Sequence, residues 1–209
     1  MATETTELTQ RVPPAGKVTF EEFLDWCDED TWAEWVDGEV IMTSPASKDH
    51  QDVGSFLEKV LGIFVEVHDL GKVMRAPFVM RLPGQARGRE PDLFFVRRER
   101  VHLIGKTFLD GAAEMVVEII SPESIDRDRE DKFGEYESAG VREYWLIDPD
   151  RRSAQFYELA SDGRYRLAAL EDGGVYHSKV IPGFWLRVDW LWQTPLPPAL
   201  EVLRALKVV

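Results

Sequence analysis

The chain has 209 residues, a formal net charge of −13 and a single cysteine, Cys27. A chain of this length buries roughly 70% of the surface exposed when unfolded. The acidity argues against tight non-specific attachment to polyanions. One cysteine excludes an internal disulfide framework and fits a reducing cytoplasm. No stretch approaches the roughly 20 apolar residues of a membrane span, and the acidic, polar N-terminus does not read as a signal peptide.

The charge is unevenly spread. Residues 1–40 hold eleven acids and two bases, or −9, which leaves −4 for the rest. Residues 87–106 hold six bases and three acids, or +3. That basic segment reads equally as a solvated loop or as a phosphate-facing patch.

Residues 1–18, with Pro13-Pro14 and Gly16, read as a flexible arm, and 19–209 as one domain. Thr19 and Glu22 form a capping box, which predicts a helix over 20–28. Ala33–Val36 and Glu39–Met42 read as a hairpin turning at Asp37-Gly38. Ser47 is a good N-cap, and Val53, Phe56, Leu57, Val60, Leu61 and Phe64 follow helical spacing, so 48–67 is a helix. His50 sits in its first turn, placed either to face a site or to make a local hydrogen bond. Strands are expected at 73–82, with a turn at Pro83-Gly84, and at 91–96. Residues 97–113 read as a loop that can hold one helical turn. A strand over 115–120 ends at Ser121-Pro122, and a helix over 126–139 ends at Gly140. Strands follow at 143–148, 153–159 and 165–170 and within 175–190, then a short helix over 198–206.

Two of the strand-length apolar runs each carry one acid, Asp92 and Glu118. A carboxylate in a buried strand is costly unless it is paired or binds a metal. Two on neighbouring strands repel each other, and a divalent cation resolves the repulsion. Taken singly, Asp92 caps a turn and Glu118 pairs with an arginine; taken together and followed by a helix lysine, they suggest a site. Lys132 and Tyr136 share one helix face. Lys132 is otherwise an ordinary surface lysine paired with Asp128. There is no P-loop, no GxGxxG and no zinc spacing. A carboxylate-pair glycosidase is disfavoured because no aromatic sugar platform accompanies the two acids.

Pro91-Asp92 followed by Glu118 is similar to the PD-(D/E)XK nuclease signature. Further pieces are Asp37-Gly38-Glu39, Ser44-Pro45 with His50, Arg89-Glu90, Ile119-Ile120-Ser121-Pro122, Asp128-Lys132-Tyr136 and Gly140 to Pro149. In order and spacing these resemble the Uma-two family of putative restriction endonucleases. The resemblance spans roughly residues 19–190.

It implies an α/β (α+β) fold, restriction-endonuclease-like. A mixed central sheet is flanked by helices, with an added N-terminal hairpin and C-terminal antiparallel strands. It implies Mg²⁺-dependent, or Mn²⁺-dependent, hydrolysis of phosphodiester bonds in DNA by a homodimer. Asp92, Glu118 and the Ile119 carbonyl would hold the metal, with Glu39 as an accessory acid. Asp92, Glu118 and Lys132 would be the catalytic set. The superfamily places its lysine where this chain has Ile120, and the resemblance implies that Lys132 takes its part. The alternative is a nuclease scaffold kept as a binding or oligomerisation module, which the acidic balance and Ile120 favour.

Overall fold

The computed structural model describes residues 12–28, 31–42, 46–120 and 131–209. The first eleven residues of the expected arm lie outside the described residues. So do Ser44-Pro45, Ser121-Pro122, Asp128 and the start of the helix expected over 126–139. The chain has mixed α/β architecture, with two larger mixed sheets and flanking helices.

The central sheet has six strands. They are β3 (Gly71–Arg75), β6 (Leu93–Arg97), β8 (Met115–Ile119), β9 (Glu143–Asp148), β10 (Ser153–Leu159) and β11 (Tyr165–Leu167). They lie side by side in the order β11-β10-β9-β8-β6-β3. β8 and β9 run parallel, and the other pairs are antiparallel. The parallel pair is joined through α3 (Lys132–Ala139), since parallel neighbours need a crossover. β6, β8 and β9 are mostly apolar, with Glu118, Glu143 and Asp148 among the exceptions, because both faces of the sheet are covered. Leu93, Phe95, Val117, Ile119, Trp145 and Ile147 face one core with α2 (Lys48–Val67). Phe94, Val96, Val116, Tyr144 and Leu146 face the other core with Tyr136 of α3.

α2 has the range its periodicity predicts. The Ser47 hydroxyl accepts from the His50 N–H at 3.2 Å, and Val53, Phe56, Leu57, Val60, Leu61 and Phe64 are buried. α4 (Ala199–Ala205) buries Val202 in the same core. Buried Glu143 ties the C-terminal strap to the sheet, accepting from Ser178, Lys179, Val180 and the Trp145 indole.

The second sheet has the order β2-β1-β5-β4-β7. Its strands are β1 (Ala33–Val36), β2 (Glu39–Met42), β4 (Val79–Arg81), β5 (Arg87–Arg89) and β7 (Phe108–Asp110). α1 (Phe20–Trp26) packs on it through Phe20 and Phe23, and its capping box is formed. Cys27 is half-buried beside this cluster.

Two sequence expectations are corrected here, and one strand is unexpected. The single strand over 73–82 is two strands, β3 and β4, in different sheets, because Pro77 between them has no N–H for a ladder. β5 carries Arg-Gly-Arg, which has no apolar alternation, and so escapes pattern reading. The loop over 97–113 holds a 3₁₀ segment, Arg98–Leu103, and then β7. Glu114 anchors that segment, accepting from the Arg97 N–H at 2.8 Å and from Arg100 at 2.6 Å.

Gly71 opens β3 with φ +149°, and a Cβ there would lie 2.1 Å from the backbone oxygen of Val96. Both conformation and space exclude a side chain. Gly71→Ala is therefore expected to destabilise by about 1–3 kcal/mol or more, as overpacking does. Urea unfolding of the variant against wild type measures it.

Candidate functional site

Alternation along β8 determines where Glu118 points. Val117 and Ile119 face α2, so Glu118 faces α3, where Lys132 opens the helix and Tyr136 follows one turn later. Lys132 Nζ lies 3.0 Å from Glu118 Oε1, and the Tyr136 hydroxyl donates to the same oxygen at 2.6 Å. All three side chains are buried. Burial, followed by the negative field of Glu118, raises the Tyr136 pKa well above its ordinary value, so the phenol stays a donor.

The second sheet sends one acid into this cluster. Glu34 of β1 is 1% exposed, and its Oε1 lies 3.2 Å from Lys132 Nζ. Its Oε2 accepts from Arg89 Nη1 at 2.8 Å. Arg89 also donates from Nε and Nη2 to Glu135 of α3, both at 2.8 Å. Burial works against the Arg89 charge, yet the carboxylates of Glu135 and Glu34 outweigh it and hold the guanidinium above its ordinary value. Arg87 bonds Glu135 as well, at 2.9 Å, and pairs with Asp37.

Asp92 immediately precedes β6. Leu93 pairs with Val117, which brings Asp92 to the Glu118 end of β8. Asp92 Oδ2 accepts from the Ile119 N–H at 2.6 Å, and Oδ1 lies 3.0 Å from His50 Nε2. The local hydrogen bond of His50 is made by its backbone, while its ring reaches Asp92. Among the described residues, His50 Nδ1 is buried without a hydrogen-bond partner. Glu90, two residues before Asp92, is half-buried. Burial, then repulsion from Glu34, pushes its pKa up to about 8 against the opposing pull of Lys132.

Glu39 pairs with Val36 in the hairpin register and is exposed on β2. From this hairpin it is Glu34 that joins the Lys132 cluster. Sequence reasoning passed over Glu34; the available signal was one acid within an otherwise buried strand next to Asp37-Gly38. The basic segment 87–106 is largely neutralised. Arg87, Arg89, Arg98 and Arg100 all sit in ion pairs, with Asp37 and Glu135, Glu34 and Glu135, Asp69, and Glu114 respectively.

Mg²⁺ is a hard cation that binds through one or two carboxylates, keeps several waters and uses substrate oxygens. Asp92, Glu118 and the backbone carbonyl of Ile119 match that donor chemistry. Among the described residues no group of three or more His, Cys, Asp or Glu side chains is arranged to hold a metal. A cation here would rest on the two carboxylates, the carbonyl and waters.

Comparison with known proteins agrees with this architecture. The sequence profile of the Uma2 family, described as "Putative restriction endonuclease", matches residues 20–189. Among solved structures, a putative nuclease belonging to DUF820 from Anabaena variabilis superposes with a TM-score of 0.70 at 16% identity, covering 84% of this chain and 97% of that one. At that identity the likeness shows the fold. No curated protein matches the chain.

Two measurements test the cluster. Arg89→Met takes the shared cation from buried Glu34 and half-buried Glu135, which retain Lys132 and Arg87, and is expected to destabilise by at most about 3–5 kcal/mol, read from denaturant unfolding. Glu90 holds its proton in the folded chain up to about pH 8, whereas its ordinary carboxyl value is 4.5. The folded state therefore binds more protons between those values, so stability from this group is present at low pH and lost as pH rises through about 8. Glu90→Gln removes that dependence. The stability of Glu90→Gln minus wild type is expected to climb from pH 5 to pH 8; a flat difference refutes the assignment.

Proposed function

Since the chain belongs to the Uma2 family of putative restriction endonucleases, we propose that it hydrolyses phosphodiester bonds in DNA with Mg²⁺, or with Mn²⁺ in its place. One observation carries the reading: Lys132, although not at the usual third-motif position, is buried with its ammonium 3.0 Å from Glu118. A lysine is almost never this deep unless it is paired, and here one of its partners is Glu118, a carboxylate the metal would use.

In this reading Asp92, Glu118 and the Ile119 carbonyl hold the cation. When bound, the metal polarises the phosphate and lowers the pKa of a water. The chain's own groups prepare the rest. The Ile119 N–H and His50 hold Asp92 from two sides and orient its carboxylate. Tyr136 donates to Glu118 and keeps it aimed. Lys132 supplies positive charge for the pentacovalent phosphorus. A groove of about 820 Å³ runs beside α2, apart from Asp92, Glu118 and Lys132, with Lys59 and Arg152 on its walls beside Asp49, Asp52 and Asp150. Among the described residues neither makes an ion pair, so both suit contact with a nucleic-acid backbone. We infer a homodimer for the intact enzyme.

The competing reading is a binding or oligomerisation module on the same scaffold, favoured by the net charge of −13. Nicking of supercoiled plasmid separates the two. Cleavage is expected with Mg²⁺ or Mn²⁺, none with chelator, and about 10²-fold or more loss in Glu118→Gln and Lys132→Met. Melting gives a second readout. For a dissociation constant of about 1 mM, about 10 mM Mg²⁺ adds RT ln 11, roughly 1.4 kcal/mol. That raises the melting temperature by about 3–6 °C. No shift with either metal and no nicking leave the binding module.

A further inference from the structure

The buried lysine sits on the same carboxylate that a cation must use. Lys132 Nζ is 3.0 Å from Glu118 Oε1, an oxygen that also accepts from Tyr136. A divalent cation on Glu118 and an ammonium at that distance repel each other. Lys132 is 4% exposed, so an ammonium that lets go of Glu118 has little access to water. A buried ammonium is stable only beside opposite charge, and a second carboxylate is within reach.

Glu34 provides it. Its Oε1 is already 3.2 Å from Lys132 Nζ. It cannot follow the lysine or turn away, because Oε2 is bound by Arg89 and Oε1 accepts from the Glu90 N–H at 3.4 Å. Arg89 is itself held by two hydrogen bonds to Glu135 on α3. Tyr136 meanwhile keeps Glu118 in place. A lysine has a flexible stem and three donors, so it can shift its weight between two fixed acceptors.

We propose that Glu34 is a positioning residue that receives Lys132 when a divalent cation takes Glu118. Lys132 is the internal competitor for the cation, and Glu34 keeps the displaced ammonium beside the reacting phosphate. This rests on the metal-dependent reading above and adds a residue and an exchange to it.

Two consequences separate this role from a merely structural one. Removing Lys132 frees Glu118 and tightens metal binding. Removing the Glu34 charge weakens metal binding only while Lys132 is present, because Glu34 acts through the lysine. A double-mutant cycle measures this coupling. Mn²⁺ is titrated into the full-length protein without nucleic acid, with free Mn²⁺ read by electron paramagnetic resonance. The proteins are wild type, Lys132→Met, Glu34→Gln, the double variant and Glu118→Gln.

Lys132→Met is expected to bind Mn²⁺ about tenfold tighter than wild type. Glu34→Gln is expected to bind about tenfold weaker in the wild-type background and within twofold in the Lys132→Met background. An equal effect of Glu34→Gln in both backgrounds makes Glu34 a direct ligand and overturns the inference. So does a Lys132→Met protein that binds no tighter. In both cases the metal site stands if Glu118→Gln abolishes binding. If neither wild type nor Lys132→Met binds Mn²⁺, the metal reading and this inference fall together. Circular dichroism checks folding. If Glu34→Gln does not fold, Glu34→Asp keeps the charge one methylene shorter and enters the same cycle. It is expected to weaken Mn²⁺ about threefold with Lys132 present and not in its absence.

Discussion

Arg89 is the residue on which the arrangement depends. The residue is 1% exposed, and its guanidinium joins Glu34 of the second sheet to Glu135 of α3. A planar fork with several donors can serve two carboxylates at once, which a lysine ammonium cannot do with the same rigidity. Without that clamp, Glu34 and Glu135 repel, and the second sheet keeps only the weaker ties of Glu34 to Lys132 and of Arg87 to Glu135. Because Glu34 and Glu135 are thus held, Lys132 has a fixed acid on one side and Glu118 on the other.

The site therefore has two parts with different mechanical support. Glu118 and Asp92 ride on the central sheet, whose strands are packed on both faces and pinned by continuous ladders. Lys132 and Tyr136 come from α3, and Glu34 comes from a hairpin outside the central sheet. Groups that need precise placement gain it from rigid elements and from the hydrogen bonds behind them. Here the supporting bonds are those from Ile119 to Asp92, Tyr136 to Glu118, and Arg89 to Glu34.

The charge of the chain acquires a different meaning once its pairings are known. The basic segment around Asp92 looks suited to phosphate, but most of its arginines neutralise buried or neighbouring acids. Net charge and local counts describe a chain, whereas a ligand meets only what ion pairing leaves over. Lys59 and Arg152, outside that segment, remain as cations without an ion pair among the described residues.

Much of this was legible in the sequence. The spacing of Val53 to Phe64 determined α2, Asp37-Gly38 determined the hairpin, and two acids on apolar runs marked the end of the β6–β8 pair. These are local signals, carried by a few adjacent residues, and the chain obeys them. The division of 73–82 into two sheets, the Arg-Gly-Arg strand and the burial of Glu34 depend on partners distant in sequence. Glu34 and Glu39 are both hairpin carboxylates five residues apart; only their surroundings distinguish the exposed one from the one beside Lys132. The tertiary structure decided that, because a strand acid becomes part of a site only when the folded chain removes its water and places a cation against it.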